Sequence, residues 1–309
     1  MRQALVKTLV EIAEHDPRIV LLTADLGFMV LEPFAERFPK RFFNVGVAEA
    51  NMVGLATGLA SCGYIPYVYS IATFASMRCY EQIRNGPILH NFKVRIIGIG
   101  GGFDYGPAGI THHALEDFGI ARIQPGLAVI APADDAQAAN SLRLTYDNDG
   151  PIYYRLSKQD RSVLPNLDGR FRLGRAEIVR EGNDVLIVSI GNICFEALRS
   201  ASLLAEQGLE ATVVVVSSLR PAPSNDLLAL LRSFSLVATV EEHYVCGGLG
   251  SLVSELVAES GAHCRIIRFG VNDDTPKMCG SSHFLRERAG LTAESIALRL
   301  AAESKTRHA

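Results

Sequence analysis

"FFNVGVAEANMVGLATGLA", residues 42–60, is the stretch on which the reading of the fold turns. "FFNVG" has the aromatic and β-branched character of a short strand. Glu49 to Leu59 then reads as a helix, with small residues that permit close packing. Glu49 is the one charge in a run otherwise built of apolar and small side chains. It can be a first-turn glutamate favoured by the helix dipole. It can also be a carboxyl held away from water, placed to bind a ring nitrogen of a ligand and share its proton.

Working outward, the same strand–helix alternation continues. "RIVLLTADLG", "IPYVYSI", "KVRIIGIGGG", "LAVIAPAD" and "PIYYRLS" read as short buried strands. Helices are predicted between them, one of them over "ATFASMRCYEQIRNGPIL". Apolar strands alternating with helices imply a mostly parallel sheet covered on both faces. Ligands in such folds bind beyond the C-terminal strand ends. Asp25, Glu49, Phe74, the run Gly100 to Gly102 and His112 all fall there.

From about residue 160 the text turns polar and irregular, "QDRSVLPNLDGRFRLG", which reads as a linker. A second α/β block follows, with "DVLIVSIG", "EATVVVVSS", "LVATVEEH" and "CRIIRFGV" as strands. The expected organisation is therefore a first domain over 1–165, a linker over 166–178 and a smaller domain over 179–309.

Composition narrows the function. The chain has 309 residues, 48% of them hydrophobic and 20% charged, enough for a sizeable core. A net charge of −3 with no basic run argues against nucleic acid as a partner. No apolar run reaches the roughly 18 residues of a membrane span. The six cysteines form no CxxC pair and are read as reduced thiols of a cytoplasmic protein.

Several motifs weigh little. His112 and His113 are adjacent, and neighbours on a helix do not face one way, so no metal site is expected from them. One can meet a substrate and the other is structural. Glu116 and Asp117 read equally well as ordinary first-turn acids. "GIGGG" lacks the complete dinucleotide pattern and is followed by a long loop. There is no GxxxxGK[ST] loop and no GxSxG elbow.

"FFNVGVAEANMVGLATGLA", "ATFASMRCYEQIRN" (72–85) and "THHALEDFGIARIQPGLAVIAPAD" (111–134) together resemble transketolase, in particular the C-terminal subunit of enzymes split over two chains. "LVATVEEHYVCGGLGSLVSE" and "IIRFGV" fit that family's last domain. The resemblance implies a pyrimidine-binding domain followed by the transketolase C-terminal domain, and thiamine diphosphate as cofactor. It matches Glu49 to the glutamate that bonds the pyrimidine nitrogen, and Phe74 to the ring stacked on the pyrimidine. Asp25, Leu26 and Met77 fall in segments lining the cofactor. His112 matches a substrate-contacting, catalytic histidine. Lys158 and Arg2 fall where the family binds phosphate. The glutamate's role in the family is to favour the cofactor tautomer whose own nitrogen serves as base.

Two departures qualify this. The family's diphosphate and metal motif begins with GDG, and no GDG occurs in this sequence. The resemblance therefore implies an N-terminal partner subunit that carries it and holds Mg²⁺, in an α2β2 assembly acting on small sugars. In the loop "DYGPAGITH", Ala108 stands where transketolases usually have an acid. Gly100 stands for a family histidine and Met29 for a phosphate-contacting serine. An atypical substrate is expected: a deoxy, modified or unphosphorylated sugar. The alternatives are the β subunit of a 2-oxoacid dehydrogenase E1 component, a fragment of deoxyxylulose-phosphate synthase, and a non-catalytic α/β binding module.

Overall fold

The computed structural model describes residues 1–160, 162–273 and 278–305. Its strands are β1 (Ile19–Thr23), β2 (Phe42–Asn44), β3 (Ile65–Ile71), β4 (Arg95–Ile99), β5 (Ala128–Ile130) and β6 (Ile152–Leu156), then β7 (Ala176–Arg180), β8 (Val185–Ile190), β9 (Ala211–Val216), β10 (Ser218–Arg220), β11 (Leu236–Tyr244) and β12 (Arg265–Val271). They form a seven-stranded sheet, β10-β5-β6-β4-β3-β1-β2, and a five-stranded sheet, β12-β11-β8-β9-β7. Strands β1 to β6 pair in parallel throughout. In the second sheet only the β7–β9 pair is antiparallel.

Strands β1, β4 and β6 are buried at every position. Helices cover both faces of a parallel sheet, so its central strands need apolar residues on both sides. Two arginines depart from this, Arg95 on β4 and Arg155 on β6, and Arg95 is fully buried. Its guanidinium donates to the carbonyls of Tyr146 at 2.9 Å and Gly150 at 2.6 Å, and also to that of Asn148. A buried cation persists only when its donors are met in this way.

The segment read as a linker is tied down rather than loose. Leu164, Leu167 and Phe171 are buried. Asp134, which caps the helix Asp135–Thr145, accepts from the backbone of Leu164 at 2.7 Å. Gln137 Nε2 donates to the carbonyl of Arg170 at 2.8 Å. Polar residues between these anchors hid the apolar spacing.

The two blocks also interlock. β10 leaves the second block and pairs antiparallel with β5 at the edge of the first sheet. Glu242, at the end of β11, accepts from the backbone of Phe103 at 2.7 Å and from Arg286 Nε at 3.0 Å.

The helix expected after β3 is not uniform. It runs as a π-helical turn over Phe74–Arg78, an α-helical turn over Tyr80–Ile83 and a second π-helical turn over Arg84–Ile88 that contains Pro87. Pro87 has no N–H to donate. Such wide turns recur at functional sites.

Candidate functional site

Glu49 opens the helix Glu49–Ser61 and is 2% exposed. Two donors reach it. Ser70 Oγ, near the end of β3, donates to Oε1 at 3.0 Å. Arg78 Nη1, at the end of the first π-helical turn, donates to Oε2 at 3.0 Å. A buried carboxylate is tolerated when paired and hydrogen-bonded like this.

From Glu49 a track of contacts runs along the strand ends. The Arg78 guanidinium lies over the Phe74 ring, 3.9 Å from its centre. His112 meets Phe74 edge-on at 5.1 Å between ring centres. Tyr105 lies 6.2 Å from His112. The Lys158 ammonium sits 4.5 Å over the Tyr105 ring. Arg2 Nε donates to the Lys158 carbonyl at 2.8 Å. Glu49, Phe74, His112, Lys158 and Arg2, far apart in sequence, are thus joined in one line.

The remaining sequence-predicted residues lie beside this line. Asp25 follows β1 with φ of 56°, a left-handed conformation in which Asp is among the better tolerated residues. Its backbone N–H donates to Asn44 Oδ1 at 3.0 Å, and Asn44 Nδ2 donates to its carboxylate at 2.9 Å. This lashes the end of β1 to the end of β2, five residues before Glu49. Leu26 is half-buried, and its carbonyl accepts from Thr23 Oγ1 at 2.8 Å. Met77 shares the turn of Phe74 and is exposed.

The two histidines part company. Thr111 Oγ1 lies 3.0 Å from His112 Nδ1, and His112 faces the track. His113 is buried edge-on to Phe103, and burial pushes its pKa down. Asp117 is fully buried. It takes a hydrogen bond from Tyr153 Oη at 2.7 Å and an ion pair with Arg155 Nε at 2.9 Å. It is a structural tie beneath the site, which its first-turn position alone did not reveal.

Sequence reasoning missed Arg78, Ser70 and Tyr105. Arg78 carried a signal, because it stands four residues after Phe74 and so shares its helical face. Tyr105 carried a subtler one in Gly100. That glycine has φ of +79°, and a Cβ there would lie 2.2 Å from Tyr105 Cε2. The ring fills the space a side chain at 100 would take. Ala108 lies exposed in the short turn Gly106–Ala108. Met29 is 94% exposed.

These residues fit a flat, nitrogen-bearing ring. The Arg78 guanidinium is itself planar and bears N–H groups, and it already stacks on Phe74 while donating to Glu49. Each carboxylate oxygen of Glu49 keeps a lone pair beyond the bond it accepts. Among the described residues no group of three or more His, Cys, Asp and Glu is gathered to hold a metal ion. No helix of the described residues is long and apolar enough to cross a membrane.

Residues 1–162 match the family described as "Transketolase, pyrimidine binding domain", and residues 174–296 match "Transketolase, C-terminal domain". The chain belongs to the transketolase family. It is 34% identical to one of the subunits of the apulose-4-phosphate transketolase of Actinobacillus succinogenes, over 86% of each chain. It is 36% identical to a 6-deoxy-6-sulfo-D-fructose transketolase subunit of Clostridium sp. strain MSTE9, over 96% of this chain and 92% of that one. A solved split-gene transketolase, described as an inactive β4 tetramer, superposes with a TM-score of 0.87 at 36% identity, covering 96% of this chain and 95% of that chain. These relatives of similar length are subunits of split transketolases, and the family depends on thiamine diphosphate. Neither the dehydrogenase reading nor the non-catalytic one is favoured by these relatives.

Proposed function

We propose that this chain is the C-terminal subunit of a two-chain transketolase that moves a two-carbon ketol unit from an atypical ketose to an aldehyde. The observation that carries the reading is the union of Glu49, Phe74 and His112 along one set of strand ends. Thiamine diphosphate, when bound, supplies the carbon nucleophile and carries the transferred fragment. Glu49 would hold a ring nitrogen of the cofactor and share its proton, and Ser70 keeps that carboxylate aimed. Phe74 would support the flat ring, with Asp25, Leu26 and Met77 shaping its surroundings. His112, facing the same space, would hold or pass a proton at a substrate oxygen. Lys158 and Arg2 would take an anionic substrate end.

The diphosphate and its Mg²⁺ would be held by an N-terminal partner bearing the GDG motif, in an α2β2 assembly in the cytoplasm. The description of the solved relative as an inactive tetramer of one chain supports this dependence. The relatives named for apulose 4-phosphate and for a deoxy, sulfonated fructose support an unusual sugar. The test combines the chain with its partner, thiamine diphosphate, Mg²⁺ and a panel of ketoses and aldehydes, with products read by mass. Transfer of a two-carbon unit is expected. No transfer from any ketose, by an assembly shown to hold the cofactor, would refute the proposal.

A further inference from the structure

The loop that carries His112 is pinned at its base by the second block of the chain. Gly102 and Ala114 pair across that base, the N–H of each donating to the carbonyl of the other at 2.9 and 3.0 Å. Glu242, on β11, is 1% exposed, and its Oε1 accepts from the N–H of Phe103 at 2.7 Å. Ser282 Oγ donates to the carbonyl of the same Phe103 at 2.8 Å. Both backbone polar groups of Phe103 are thus met by side chains of the C-terminal domain. Further along the loop, the Gly280 N–H donates to the Gly106 carbonyl at 3.2 Å.

Two glycines let the loop lie this close. A Cβ at Gly102, where φ is +63°, would stand 2.5 Å from Glu242 Cγ, and one at Gly106 would stand 2.4 Å from the Gly280 carbonyl oxygen. Glu242 is itself held. Its Oε2 accepts from Arg286 Nε at 3.0 Å, and Arg155 Nη2 donates to its backbone carbonyl at 2.9 Å and to that of Ala114 at 2.7 Å. As a source of stability a buried ion pair is poor, because its desolvation can exceed its attraction. What the carboxylate adds is direction, since it takes one backbone N–H at one place. Between the pinned Phe103 and the paired Ala114, His112 is half-buried and faces Phe74.

We propose that Glu242 is a positioning residue, through which the C-terminal domain sets the place of His112 for the substrate step. The proposal rests on the transketolase reading above and adds a residue of the second domain to the workings of that site. Glu242 acts on the backbone of Phe103, not on the substrate, and does not touch Glu49. The two buried carboxylates therefore divide the work, Glu49 serving the cofactor and Glu242 the loop that meets the sugar. Without the clasp the loop drifts, and a shift of about 1 Å caused far from the chemistry can lower a rate by about 10²-fold.

The test uses the assembled two-chain enzyme with its cofactor, as wild type, Glu242→Ala and Glu242→Gln. Three quantities are read: hydrogen–deuterium exchange at the thiazolium carbon, kcat for two-carbon transfer, and amide exchange by mass spectrometry over residues 103–113 and 42–60. Glu242→Ala should lower kcat by about tenfold or more while thiazolium exchange stays within about twofold of the wild type. Amide exchange over 103–113 should quicken by about tenfold, the scale of a lost backbone hydrogen bond, with 42–60 unchanged. Glu242→Gln keeps an acceptor for the Phe103 N–H, so its kcat should lie within about threefold of the wild type. Arg286 also lies 4.0 Å from Glu196, so removing Glu242 does not leave the guanidinium alone. If Glu242→Ala does not assemble, Ser282→Ala cuts the other bond to Phe103 and is read the same way, with about threefold in place of tenfold. An equal fall in kcat and thiazolium exchange, an unchanged kcat, or a Glu242→Gln enzyme as slow as Glu242→Ala overturns the proposal. If the wild-type assembly transfers nothing from any ketose, the transketolase reading fails, and amide exchange over 103–113 still decides for or against the clasp.

Discussion

Arg78 Nη1 lies 3.0 Å from Glu49 Oε2, joining an arginine that is 48% exposed to a carboxylate that is 2% exposed. The pair is asymmetric. Arg78 can leave toward water at small cost, whereas Glu49 cannot follow it. Removing Arg78 therefore strands a buried carboxylate with Ser70 as its remaining donor at that site. Arg78→Ala is expected to lower unfolding free energy by about 1–3 kcal/mol, the scale for an unsatisfied buried polar group. Urea denaturation of the isolated chain measures it. Arg78→Lys should recover part of the loss. Equal stability of all three proteins would show that water replaces the guanidinium freely.

Glu49→Gln keeps the shape of the side chain and its bond from Ser70 but weakens proton sharing with a ring nitrogen. Hydrogen–deuterium exchange at the cofactor's thiazolium carbon, in the assembled enzyme, should slow by about 10²-fold or more, the range for losing a positioned acid–base group. Circular dichroism should show the fold intact. Unchanged exchange would remove Glu49 from the role proposed for it.

Assembly follows from what surrounds the site. Phe28, Met29 and Val47 are 70%, 94% and 71% exposed, and all three belong to the loops beyond β1 and β2 that flank Glu49. Large apolar side chains grouped at a site mark a surface that another chain covers. The isolated chain should therefore bind thiamine diphosphate more weakly than about micromolar, and the complex with a GDG-bearing partner should bind it tightly. Calorimetry on the two preparations distinguishes them. Micromolar affinity in the isolated chain would mean that the diphosphate is held here.

Much of this was legible in the sequence, and the reasons are local. Strands buried on both faces announce themselves as apolar runs, as "IVLLT" and "RIIGI" do. Glu49 stood out because a single charge in an apolar helix start needs a partner. Phe74 and His112 were reached through resemblance, since an aromatic and a histidine have many ordinary uses. What the sequence hid depends on distance along the chain. β10 is a three-residue strand whose partner lies about ninety positions earlier. Its short, mixed sequence gives no period to read. The buried Asp117–Arg155 pair joins two distant stretches of the first block in the same way. Tyr105 was hidden because its meaning lies in the absence of a side chain at Gly100.

Glu241 gives the chain a pH signature of its own. It is buried at the start of the helix Leu249–Ser260 and accepts from the backbones of Leu249 and Gly250 at 2.7 and 2.8 Å. Burial outweighs those bonds and pushes its pKa up to about 7. Between the ordinary 4.5 and about 7 the folded state holds a proton that the unfolded state has lost. The stability this group contributes is thus present at low pH and falls as pH rises through that window. His243, 3.9 Å away, acts oppositely, because burial lowers its pKa and its share is lost as pH falls below 6.5. Glu241→Gln removes only the first effect. The difference in Tm between variant and wild type should shift in favour of the variant from pH 5 to pH 7.5. A difference independent of pH would show that Glu241 stays ionised throughout.

Ala108 offers the most direct handle on substrate choice. It lies in the turn Gly106–Ala108, four residues before His112, and is exposed. Its methyl group cannot accept a bond from a sugar hydroxyl, whereas a carboxylate at the same place could. A site that bonds a hydroxyl discriminates strongly against analogues that lack it, because its own polar group is then left without a partner. Without that acceptor, the demand for the hydroxyl disappears. Ala108→Asp should restore it. The turn is at the surface and the new side chain need not be buried, so stability should change by no more than about 0.5 kcal/mol. Turnover in the assembled enzyme should move toward hydroxylated donors such as xylulose 5-phosphate, by about tenfold relative to deoxy or unphosphorylated partners. The comparison is made as a ratio of kcat/KM values, which cancels differences in the fraction of active enzyme. A ratio that stays at the wild-type value would place the reading of the sugar elsewhere and would show that this turn does not touch the substrate.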